Sequence, residues 1–258
     1  MRSRAFGLAA IVAASGAAAV ADVTDIDSVQ IQERRFNDYS GSTLVTTNNF
    51  PSLVRFDESN FGSGGFANQH VAWFSGDGGA SHYDFARTDR FVISLDVTLD
   101  VGSTSPRKEA GFRFDTFQAG EAFFFVTSDG EVAAFGGMLP FHSFGHVYTP
   151  GSTASLSLIY TPDDDGDAFD GDASTFEYVY NGTSSGPLAV SNLENGILDG
   201  TQGGFYVQNQ PDDNNPSDFS VASFANISIA VPTPASGAVL ALAGLGALRR
   251  RRHSHHRR

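Results

Sequence analysis

The chain has 258 residues, with 29 acidic against 16 basic side chains, 23 phenylalanines and no cysteine. With no cysteine, no disulfide can staple the fold, so an exported form of this chain would rest on its apolar core, where each buried aromatic removes about 150–250 Å² from water. The acidic balance argues against polyanions, nucleic acid and anionic lipid surfaces above all, as partners.

The N-terminus opens with Met1-Arg2-Ser3-Arg4 and continues as an alanine-rich apolar run from Ala5 to Val20. A basic start, an apolar stretch without a polar face and the small-x-small pair Ala19 and Ala21 predict a signal helix over residues 1–21. Signal peptidase, a transient partner, would cut between Ala21 and Asp22. Residues 22–230 are then left as one domain with 8 basic and 29 acidic side chains, a net charge of −21.

Period-two patterning dominates that domain. From Arg90 to Asp100, Phe91, Ile93, Leu95, Val97 and Leu99 alternate with polar residues, as a half-buried strand requires. Leu156, Leu158 and Tyr160 repeat the pattern, and Val221, Ala225, Ile227 and Ile229 predict one apolar face for a last strand. Further strands are predicted near residues 29–36, 71–74, 110–114, 122–127, 132–135, 176–181 and 204–208. Turn signals separate them. Asp129-Gly130 reads as a tight hairpin between Phe123–Val126 and Val132–Phe135, because glycine supplies positive φ there. About ten to fourteen short strands without helices predict an all-β, antiparallel two-sheet β-sandwich of jelly-roll type.

Between two of these strands, Asp163 to Asp172 holds six carboxylates in ten residues. Asp163, Asp165 and Asp167 stand at the first, third and fifth positions of a calcium loop, with Asp170 and Asp172 following. Calcium, as a loop staple, is the cofactor this run suggests. Ala168 and Ser174 occupy places where such a loop carries Gly and Glu, and a solvated connection is the structural alternative.

The C-terminus reverses the logic of the start: Pro232-Thr233-Pro234, an uncharged run from Ala235 to Leu248, then Arg249, Arg250, Arg251 and Arg252. A helix of that length rises about 1.5 Å per residue and falls short of the roughly 30 Å hydrocarbon core, a marginal membrane span that the arginines would pin on the cytoplasmic side. Residues 231–258 resemble a PEP-CTERM sorting signal, departing from it at Thr233, where that family usually has Glu. The resemblance implies a short transmembrane helix, an exosortase-type sorting protease as partner, and delivery to the envelope, surface or matrix of a Gram-negative-type, exopolysaccharide-producing bacterium.

The domain itself, through Arg107-Lys108-Glu109-Ala110-Gly111-Phe112-Arg113-Phe114, Phe123 to Val126 and Ser128-Asp129-Gly130, resembles concanavalin A-like lectin/glucanase and laminin G-like sandwiches. Many such sandwiches are glycosidases, but the run Glu-x-Asp-x-x-Glu that their chemistry needs is missing. Glu109 and Asp115 share a strand face with Arg107 and Arg113, which reads as cross-strand ion pairs on a solvated sheet. His70, His82, His142 and His146 are scattered. Trp73, Tyr83 and Asp84 are the candidate border of a glycan site, against the alternative that Trp73 is core. The expectation is a non-catalytic exported sandwich that touches exopolysaccharide. A lectin-like carbohydrate-binding module is the first alternative and a glycoside hydrolase the second.

Overall fold

A computed structural model describes residues 23–117, 119–163, 173–190, 197 and 199–231. The signal helix, the sorting tail and four of the five candidate calcium ligands (Asp165, Asp167, Asp170 and Asp172) therefore lie outside the described residues, with Ala19, Ala21, Pro232, Thr233, Pro234 and Arg249 to Arg252 among them. Among the described residues there is no α-helix, and no helix is long and apolar enough to cross a membrane.

The strands, in chain order, are β1 (Ser28–Asn37), β2 (Thr43–Asn49), β3 (Leu53–Ser59), β4 (Asn68–Ser75), β5 (Asp84–Phe85), β6 (Phe91–Val101), β7 (Glu109–Thr116) and β8 (Gly120–Thr127). They continue with β9 (Glu131–Phe135), β10 (His142–His146), β11 (Thr153–Thr161), β12 (Thr175–Tyr180), β13 (Thr183–Ser184), β14 (Leu188–Ala189), β15 (Thr201–Asn209) and β16 (Phe219–Ala230). One antiparallel sheet runs β1-β4-β15-β7-β8-β9-β10, with β5 beside β15. The other runs β13-β12-β11-β6-β16-β3-β2, with β14 beside β12. The predicted all-β, two-sheet antiparallel sandwich is what forms.

Phe91, Ile93, Leu95, Val97 and Leu99 of β6 face Phe112, Phe114, Phe124 and Phe205 of the first sheet across the shared core. The predicted hairpin forms, with Val126 opposite Val132 and Gly130 at φ 95°. β16 departs from its predicted single apolar face: Ala222 and Phe224 are buried before a bulge and Ile227 after it, with Asn226 at φ 51°. The extra residue of the bulge moves the core face from even to odd positions.

Two buried ionic ties join the sheets at one end. Glu58 of β3 accepts hydrogen bonds from Ser42 (2.6 Å), Asn68 (2.6 Å) and Asn209 (2.7 Å) and lies 2.9 Å from Nε2 of His70. The Arg34 amide donates to His70 Nδ1 (3.1 Å), so the ring's proton sits on Nε2 and points at Glu58. Close by in the chain's register, buried Lys108 donates to Asp218 (2.8 Å).

Candidate functional site

Strand alternation sends every second residue of the first sheet away from the core, and here that outer face is large and mostly sealed from solvent. Its register is read directly from the pairing. One row crosses Trp73, Gly204, Arg113 and Phe123; the next crosses Val71, Tyr206, Gly111 and Phe125; a third crosses Phe36, Gln69, Gln208 and Glu109. Val71, Trp73, Phe125, Ala133 and Tyr206 make a second apolar cluster on this face, with Phe123 packed against it. The glycines make room for it. Gly111 lies between Tyr206 and Phe125, where a Cβ would run into the Phe124 carbonyl, and Gly204 lies between Trp73 and Arg113.

The charged groups set into this apolar floor are tightly paired. Arg113 is buried; it donates to Gln69 Oε1 (2.9 Å), contacts Asp115 and Glu121, and lies 5.6 Å from the Trp73 ring and 5.2 Å from the Phe123 ring. Arg35 reaches across from β1 to Asp115 (2.7 Å) and also lies over Trp73. These contacts correct the expectation of a solvated sheet of ion pairs: aromatic neighbours cover the Arg113 guanidinium and hold it out of water.

Glu109 stands apart. Tyr206 donates its phenolic hydrogen to Glu109 Oε2 (2.8 Å), and Arg107 contacts Glu109 (3.2 Å) while donating to Glu131 (2.6 Å). Burial pushes the Glu109 carboxyl above its ordinary value and outweighs the Tyr206 hydrogen bond and the Arg107 charge, which pull it down; the Glu131 charge adds to the rise. Burial, then the charge of Glu109, pushes the Tyr206 phenol well up. Glu109 nevertheless keeps 18% of its side chain open to solvent, whereas Tyr206 is sealed beneath it. A carboxyl held toward its protonated form, beside a second carboxylate on the same guanidinium, can give a proton to one reacting atom while its neighbour takes one from another.

The three residues predicted to border a glycan site do not converge. Trp73 is on the outer face, buried, with its indole N–H on Gln32 Oε1 (2.9 Å). Tyr83 packs toward the core, its ring 4.9 Å from that of Phe85. Asp84 is exposed and paired with His82 at 3.2 Å. Asp163, the described member of the acidic run, donates its backbone N–H to Ser174 Oγ (3.0 Å). Among the described residues no group of three or more metal-ligating side chains converges. Sequence reasoning noticed Glu109 and dismissed it, because the alternation of charges along β7 does not show that Tyr206, far along the chain, arrives to bury it.

No protein-family model matches the chain, and no curated protein matches it in sequence. Its fold is similar to that of solved polysaccharide-cleaving enzymes. An alginate lyase from Corynebacterium sp. superimposes with a TM-score of 0.53 at 10% identity, over 80% of this chain and 95% of that one. A double-cysteine variant of the alginate lyase A1-II' does so with a TM-score of 0.50 at 10% identity, over 80% of this chain and 94% of that one, and the same values hold for another variant of that family 7 enzyme in complex with product. At this identity the likeness establishes the sandwich, a jelly roll of the concanavalin A-like kind. Set against the expectation of a non-catalytic surface protein, these solved structures of similar fold are alginate lyases, which are enzymes.

Proposed function

We propose that the protein is a polysaccharide-degrading enzyme whose site is the outer face of the first sheet, with Glu109 as its proton-transferring residue. The observation that carries the reading is Glu109 itself: a half-sequestered carboxyl, hydrogen-bonded by a buried phenol and sharing Arg107 with Glu131, open on a face floored by aromatic rings. The alginate lyases of similar fold support it. Glycosidic cleavage, whether by elimination or by hydrolysis, requires a proton for the departing oxygen, and Glu109 is placed to supply it. Glu131, which shares Arg107 with Glu109, is the proposed acceptor of the second proton. Tyr206, sealed beneath Glu109, is a positioning residue. The terminal signals support export and sorting to the cell envelope by an exosortase-type protease, with exopolysaccharide as the material met there.

The test is release of new reducing ends from a panel of alginate and uncharged polysaccharides. Turnover is expected on at least one of them, falling by about 10²-fold or more in Glu109→Gln. Tyr206→Phe removes a hydrogen bond that lowers the Glu109 pKa, so the acid-dependent limb of its pH–rate profile should move to higher pH. Absence of turnover on every substrate, or full turnover in Glu109→Gln, would remove the proposal.

A further inference from the structure

A groove of about 460 Å³ lies on the same face, lined by Gln32, Gln69, Gln208, Phe36, Phe66 and Arg35, with Glu121 at its margin. Gln208 is the register partner of Glu109 on the neighbouring strand, and Gln69 and Phe36 extend the same row outward. The groove therefore ends at the strand next to the one that carries the proposed acid.

Its polar groups have a fixed orientation. The indole N–H of Trp73 can only donate, so the Gln32 oxygen must face it and the Gln32 NH₂ faces away. The Arg113 guanidinium likewise can only donate, so it claims the Gln69 oxygen. Gln69 Nε2 then donates to Gln208 Oε1 (3.0 Å), which leaves the Gln208 NH₂ as the free end of the relay. Two amide donors with their carbonyl ends already committed thus border a groove whose rim carries Phe36 and Phe66, 46% and 54% exposed. Amide donors beside exposed rings suit the hydroxyls and apolar faces of sugar rings.

The charges decide which sugars. Arg35 is already met by Asp115 (2.7 Å) and Glu121 (3.5 Å), and Arg113 by the same two carboxylates and Gln69. A uronate carboxylate entering the groove would meet guanidiniums already neutralised by Asp115 and Glu121, and would face Glu121, which is 49% exposed. It would also approach a domain of net charge −21.

We infer that this groove is a binding subsite for an uncharged, hydroxyl-rich glycan rather than for a polyuronate such as alginate. The inference rests on the proposed polysaccharide-degrading role and names its substrate class. An uncharged sugar has no carboxylate to acidify a ring C–H bond, so its cleavage here is hydrolysis. The Glu109 carboxyl proton passes to the glycosidic oxygen as the C1–O bond breaks, water forms the new C1–O bond, and the water's proton passes to the Glu131 carboxylate. One water is consumed, and proton exchange with solvent resets the pair.

Affinity electrophoresis of the full chain carrying Glu109→Gln separates binding from cleavage. Gels containing mixed-linkage glucan, xylan, mannan or alginate are compared. Retardation by at least one uncharged glycan and none by alginate is expected, with affinity falling about tenfold in Phe66→Ala and in Gln208→Ala on that background, each checked for native near-ultraviolet circular dichroism. Retardation by alginate instead, binding to none of the four, or uncharged-glycan binding unmoved by both substitutions would overturn the inference. Retardation of Glu109→Gln by an uncharged glycan that the unmodified chain does not cleave would sink the enzymatic reading alone.

Discussion

Glu58 shows at the scale of one residue how this cysteine-free chain ties its two sheets together. Its carboxylate is fully buried, yet Ser42, Asn68, His70 and Asn209 all direct donors at it, and Arg34 lies 3.4 Å away. A buried charge is tolerable only when its partners are in place, and removing it leaves several donors without an acceptor. Glu58→Ala should therefore cost about 3–5 kcal/mol, seen as a lower urea midpoint. A loss below about 1 kcal/mol would mean that the donors find other partners. None of this was legible in the sequence, where Glu58 is one acidic residue among 29. Its donors come from β4, β15 and the β1–β2 connection, and only the sheet pairing brings them together.

At the scale of the element, β7 and β15 are shaped by what they leave out. Gly111 and Gly204 sit where Tyr206, Phe125, Trp73 and Arg113 crowd the outer face. Gly111→Ala places a methyl against the Phe124 carbonyl and 2.9 Å from the Phe125 Cβ, so the two strands must part. A loss of about 1–3 kcal/mol in urea unfolding is expected, together with altered near-ultraviolet circular dichroism from the displaced aromatics. An unchanged midpoint would show that the sheet has slack there. The legibility of each strand follows from how its two faces are covered. β6 has one face in the core and one in solvent, so its alternation was readable and its predicted core residues are buried. β4 is buried on both faces and shows no alternation, and only its apolar centre was found. β2 and β3 went unpredicted because Thr43–Asn49 buries no residue fully, and in Leu53–Ser59 the core row Val54 and Phe56 is short and ends on the charged Glu58. The site was hidden for a related reason: its floor is a second buried layer on a face that a one-core sandwich would leave wet.

For the whole molecule, Glu58 and Glu109 pull the pH dependence of stability in opposite directions. Burial raises Glu58, but hydrogen bonds from His70, Ser42 and Asn209 outweigh it and hold the carboxyl below its ordinary value. The unfolded chain then binds the proton first, so this contribution is present above the ordinary glutamate pKa and is lost as pH falls through the lower native one. Glu109 is raised, so the native state binds its proton first, and stability is lost as pH climbs from the ordinary glutamate value through the raised one. A residue that costs stability at neutral pH is what a working acid in a partly dry site entails. Glu109→Gln keeps the shape, removes the charge and should raise Tm relative to the unmodified chain, with the gap widening from mildly acidic to neutral pH. On the proposed role, the same substitution should cut glycan turnover by about 10²-fold or more. Thermal unfolding of both proteins across that pH range checks the point: a gap that is absent, reversed or independent of pH would show that Glu109 is stabilised where it stands, and would leave its hydrogen bond to Tyr206 an ordinary structural tie.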